Sequence, residues 1–72
     1  MSSPTYIPKT KAIAQLQAET GRGRRIIENA IEKLTEADRI HITEDPLDGR
    51  ILRMTIDDYE LLQRVVRGEE PI

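Results

Sequence analysis

The chain contains no cysteine, tryptophan or phenylalanine, one histidine, and only two aromatic residues, both tyrosine. Without thiols there is no disulfide framework, no thiolate metal site and no cysteine nucleophile. A single histidine without cysteine does not build a metal centre. A small domain lacking covalent staples suits a reducing compartment, so a cytoplasmic protein is expected, nucleoid-associated if the host is prokaryotic. The stretch Met1-Ser2-Ser3-Pro4-Thr5 does not join a charged segment to an apolar run, and no signal peptide is expected. No apolar run approaches the roughly 20 residues that cross a bilayer, so no membrane partner is expected. There is no Ser/His/Asp set and no glycine-rich loop of phosphate-binding length. The acid pairs Asp57-Asp58 and Glu44-Asp45 fall at a helix start and a loop tip, away from the sheltered cleft that acid–base chemistry needs. No enzyme, cofactor, metal or small-molecule ligand is expected.

What is present is one small domain. Seventy-two residues allow a single thin core, built here from Ile, Leu, Val and Ala. The formal net charge of −2 hides an asymmetry. Residues 1–25 hold Lys9, Lys11, Arg22, Arg24 and Arg25 against Glu19, a balance of +4, whereas residues 26–72 sum to −6. A basic end on an acidic body steers a polyanion to one face, or the charges merely solvate the surface.

Residues 1–8 are expected to be a flexible arm, because Pro4 and Pro8 favour extended predecessors. A first helix should run from Lys9 or Thr10 to Gly21, with Ala12, Ile13, Leu16 and Gln17 as its stripe. A second should run from Arg24 to Ala37. There Ile27, Ile31 and Leu34 form the buried stripe with Ile26, Ala30 and Ala37 beside it, and Arg25, Asn29, Glu32 and Glu36 lie opposite. Arg39 to Thr43 alternates like a strand, Glu44 to Gly49 reads as a turn around Asp48-Gly49, and Arg50 to Ile56 is the return strand. In that hairpin Ile40, Ile42, Leu52, Met54 and Ile56 would face the core, and His41, Arg50 and Arg53 solvent. A last helix should start at Thr55 or Asp57 with Thr55 capping it, bury Tyr59, Leu62 and Val66, and end at Gly68. The domain would span residues 9–67 and leave residues 68–72 as a tail. The class is mostly α with a small β-hairpin: helix, tight turn, helix, two strands, helix.

Over residues 9–67 the sequence resembles a winged helix-turn-helix. Residues 12–21 are similar to the supporting helix and its turn glycine, residues 24–34 to the recognition helix, and residues 35–40 to the exit into a wing. Omission of the usual preceding helix, with a helix added after the wing at residues 50–62, is similar to the MerR-type and phage excisionase domains. The resemblance implies a sequence-specific binder of double-stranded DNA, a small transcriptional regulator or an excisionase-like architectural factor. Its second helix would enter the major groove, with the wing on the adjacent backbone or minor groove. The alternative is a protein-interaction module, in which the acidic residues 26–72 meet a basic partner without direct DNA contact.

On this reading Arg22, Arg24 and Arg25 crowd the start of the second helix, where cations oppose the helix dipole and suit phosphate or guanine instead, or they are solvated charge paired with Glu28 or Glu19. Asn29, one turn on, pairs with adenine or is an ordinary exposed residue. Lys9, Thr10 and Lys11 at the first helix start would hold a phosphate, or Thr10 is simply an N-cap. Arg50 and Arg53 would follow the backbone from the wing, with Arg50 partly paired to Asp48. One such module buries a modest area on DNA, so a homodimer or cooperative side-by-side binding is expected, through Leu61 and Val65 on the last helix.

Overall fold

The computed structural model describes residues 5–71. The elements run β1 (Tyr6–Pro8), α1 (Lys9–Thr20), α2 (Arg24–Glu36), β2 (Thr43–Asp45), β3 (Asp48–Thr55) and α3 (Ile56–Arg67). Three helices pack with one antiparallel sheet in the order β1-β3-β2. The class is therefore mixed α/β, and the sheet has three strands where the sequence suggested two.

The third strand comes from the stretch expected to be an arm. Ile7 pairs with Met54 across β1 and β3, and both side chains are buried. Three residues are too few for a period to show, so burial of Ile7 decides the strand. Residues 1–4 of the expected arm, and Ile72 of the expected tail, lie outside the described residues.

The helices follow their apolar spacing. Ala12, Ile13 and Leu16 of α1, Ile27, Ala30, Ile31 and Leu34 of α2, and Tyr59, Leu62 and Val66 of α3 join Ile40, Met54 and Ile7 in one core. Gly21 (φ 71°) closes α1 and Gly68 (φ 83°) closes α3, both in the left-handed region that costs glycine nothing. The Thr55 hydroxyl caps α3 by accepting from the Asp58 N–H at 3.1 Å. Ile26 and Ala37, expected beside the α2 stripe, are exposed.

Three expectations for the hairpin are corrected. Residues 39–42 form a loop and not a strand, because the amides of Arg39, Ile40 and His41 are already engaged. The Arg39 and Ile40 N–H groups donate to the Leu34 carbonyl, and the His41 N–H donates to Asp58 Oδ2 at 3.0 Å. Ile40 is nonetheless fully buried, which anchors the loop. The turn is Pro46-Leu47 and not Asp48-Gly49. Asp45 Oδ1 accepts from the Leu47 N–H at 2.8 Å, and Gly49 stands in β3 without a positive φ. Finally, Leu52 is exposed although it shares a strand with buried Met54, because the hairpin runs out past the helices.

Residues 69–71 are tied back to the domain. Arg39 donates to the Pro71 carbonyl at 2.8 Å, and Glu70 accepts from Arg64 Nε at 3.0 Å and from Arg39 at 3.4 Å. Arg64 first, then Arg39, holds the Glu70 carboxyl below its ordinary value. A depressed carboxylate stabilises the fold above its unfolded pKa and loses that effect as pH falls through the folded one. Glu70→Gln should therefore melt below the parent at neutral pH, and the gap should close in acid beneath the usual carboxylate range. Melting curves across that range check it.

The Tyr59 hydroxyl is buried with no hydrogen-bond partner among the described residues. Burial, with Glu19 adding and Arg67 opposing, pushes its pKa up. An orphaned hydroxyl forfeits about 1–3 kcal/mol of solvation. Tyr59→Phe is expected to melt at the parent temperature or above it, while Tyr59→Ala loses about 3–5 kcal/mol. A lower melting point for the phenylalanine variant would mean that the hydroxyl has a partner.

Candidate nucleic-acid interface

The cations at the starts of α1 and α2 stand on unusual helix ends. Pro8 precedes α1 and Gly23 precedes α2; neither supplies a side-chain cap, and neither first turn holds an acid. Thr10 is the second residue of α1, so it is not the N-cap of that helix. The first N–H groups of both helices are left for another acceptor, and the positive dipole ends carry Lys9, Lys11, Arg24 and Arg25. By contrast α3 has its Thr55 cap and Asp57 and Asp58 in its first turn.

These two helix starts open on one groove of about 280 Å³, bounded on the third side by β3. Lys9, Thr10, Arg24, Glu28 and Arg50 supply its polar lining, and Ile13, Ile51 and Leu52 its apolar part. Arg24 Nε pairs with Glu28 Oε1 at 2.6 Å, one helical turn along α2. Arg50 forks onto Asp48, Nε to Oδ1 at 3.1 Å and Nη2 to Oδ2 at 3.2 Å, as its sequence position suggested. That fork holds the Asp48 carboxyl below its usual value and raises Arg50. Both pairs are at the surface, where solvent screens an ion pair to little net worth, so a phosphate can compete for either arginine.

The remaining candidates are distributed differently. Arg22 and Arg25 are exposed and join no salt bridge among the described residues; the Arg22 N–H donates to Thr20 Oγ1 at 3.2 Å. Lys11 is exposed on α1. Arg22 and Asn29 line a second groove, between α2 and α3, with Lys33. Arg53 does not share a surface with Arg50. Its guanidinium lies 3.8 Å from the centre of the Tyr6 ring, and its Nε is buried without a partner. Leu61 and Val65 are half-buried and pack against the core, and Val65 also lines the second groove. Glu28 was expected only as an ion-pair partner for Arg22, Arg24 and Arg25, and Arg24 takes it at the i+4 spacing. Tyr6 could not be found as the Arg53 partner without the β1–β3 pairing.

Among the described residues, no group of three or more His, Asp and Glu side chains could hold a metal ion, and no helix is long and apolar enough to cross a membrane. The class defined by these elements is a small α/β domain with a three-stranded antiparallel sheet. Comparison with protein families, curated proteins and solved structures yields no match to this chain.

Proposed function

We propose that the chain is a winged helix-turn-helix domain, of the MerR-type or excisionase-like element order, that binds double-stranded DNA sequence-specifically as a small regulator or architectural factor. The observation that carries this reading is the convergence of Lys9, Thr10, Arg24 and Arg50 on one groove at two uncapped helix starts. Such helix ends accept phosphate through backbone N–H groups and dipole, and lysine and arginine add charge. The order α1, tight turn, α2, projecting β2–β3 hairpin supports docking of α2 in the major groove with Arg25 and Asn29 towards base edges. Arg50 then meets the neighbouring backbone from the hairpin.

A second reading, a protein-interaction module without DNA contact, draws on the exposed apolar side chains of the hairpin: Leu47, Ile51 and Leu52. Titration of fluorescent duplexes, random and genomic, at two salt concentrations separates the two. DNA binding predicts that log affinity falls with log salt, by about 0.9 per phosphate neutralised. Arg25→Ala should cost about 1–3 kcal/mol on the preferred sequence and relax preference at one base. Absence of salt-dependent binding to any duplex would favour the second reading.

A further inference from the structure

We propose that a second copy of this chain docks the tip of its β2–β3 hairpin into the groove between α2 and α3. Leu47 is 96% exposed at that tip. Single exposed apolar residues are ordinary on protein surfaces, but this one is presented by a closed turn, with Asp45 Oδ1 accepting from its N–H. Glu44 and Asp45 flank it, while Asp48 is paired with Arg50, so the tip is an acidic knob with an apolar point. That charge turns the tip away from a phosphate backbone and leaves it for a basic protein surface.

The groove is the complement. It is a shallow, open groove of about 290 Å³ over Ile26, Ala30 and Val65, wide enough to receive a leucine side chain. Ile26 is half exposed there, beside buried Ala30. Arg22 and Lys33 stand at its rim, no acid lines it, and neither cation joins a salt bridge among the described residues. No residue of the same chain's hairpin lines this groove, so one molecule does not satisfy its own groove. The contact joins two different patches, hence it is head-to-tail and propagates along a row of copies, or closes into a ring. It does not depend on the DNA-binding reading and is tested without DNA.

Sedimentation velocity of the free protein at low salt is the experiment. The parent should self-associate with rising concentration, and added salt should weaken the association. Leu47→Asp on the hairpin and Lys33→Glu in the groove should each weaken it roughly tenfold or more. Both sites are exposed, so circular dichroism melting should match the parent. Mixing the two variants should restore a one-to-one pair and nothing longer, because only the first keeps a sound groove and only the second a sound hairpin. A parent that stays monomeric at millimolar concentration, variants that assemble like the parent, or a mixture that stays monomeric would each overturn the proposal.

Discussion

Ile27→Ala is expected to unfold a large part of the population at 37 °C, while Ile26→Ala, one residue away, leaves the melting temperature near that of the parent. The two side chains are identical and adjacent on α2. Ile27 is fully buried in the cluster formed with Leu16, Leu34 and Leu62, whereas Ile26 is 50% exposed. Truncating a buried isoleucine removes apolar transfer energy and leaves a cavity, at about 2–5 kcal/mol. Among the described residues the core has thirteen buried apolar side chains and no buried polar residue to share the loss. Folded domains hold roughly 0.05–0.15 kcal/mol per residue, so one such cavity consumes a large share of the total here. For a chain this short each kcal/mol moves the midpoint by about 4–8 °C. Thermal melts of the two variants decide it. Equal midpoints would place the buried face of α2 elsewhere.

On the proposed DNA-binding reading, removing Lys9, Arg24 and Arg50 together, by alanine at all three, is expected to reduce duplex affinity by about two to three orders of magnitude near physiological salt. With three fewer phosphates neutralised, the log–log salt slope should also flatten by about 2.7, at 0.9 per phosphate. The loss should be similar on preferred and random duplexes, since phosphate carries no sequence information. None of the three side chains is buried, so the melting temperature should stay near that of the parent. Arg24 and Arg50 do give up pairs with Glu28 and Asp48, but those are exposed and weak. An unchanged slope with full affinity would move the DNA-binding surface away from this groove.

The helical part of the fold was legible because each helix repeats its apolar residues at the helical period and is punctuated at its ends. Ile27, Ile31 and Leu34 mark the buried face of α2, and Tyr59, Leu62 and Val66 that of α3. Gly21, Gly68 and the Thr55 cap bound their helices where local chemistry requires. Such features depend on residues three or four apart, and those neighbours are set by the chain itself. The gathering of cations at the starts of α1 and α2 was legible for the same reason.

The sheet was not. Arg39 to Thr43 alternates like a strand, yet the Arg39, Ile40 and His41 amides are taken by the end of α2 and by Asp58 of α3, groups that no alternation rule sees, and only Thr43 enters β2. Tyr6-Ile7-Pro8 carries no readable pattern, yet it becomes a strand because Met54, far along the chain, pairs with Ile7. Asp48-Gly49 looked like the better turn, but Pro46-Leu47 serves with an Asp45 side-chain bond, and Gly49 continues β3.

By itself, then, the sequence determined the three helices, their buried faces, their stops and the charge on their first turns, all consequences of short-range geometry. Tertiary structure alone decided that β1 completes the sheet, that Leu52 and Leu47 stand exposed, and that Arg50 joins Lys9 and Arg24 while Arg53 leaves them for Tyr6. Those outcomes turn on which distant segment reaches a given amide or side chain first. Hydrogen bonds and burial are satisfied across the whole chain at once, and a strand or a surface arginine takes its role from partners that lie far from it in sequence.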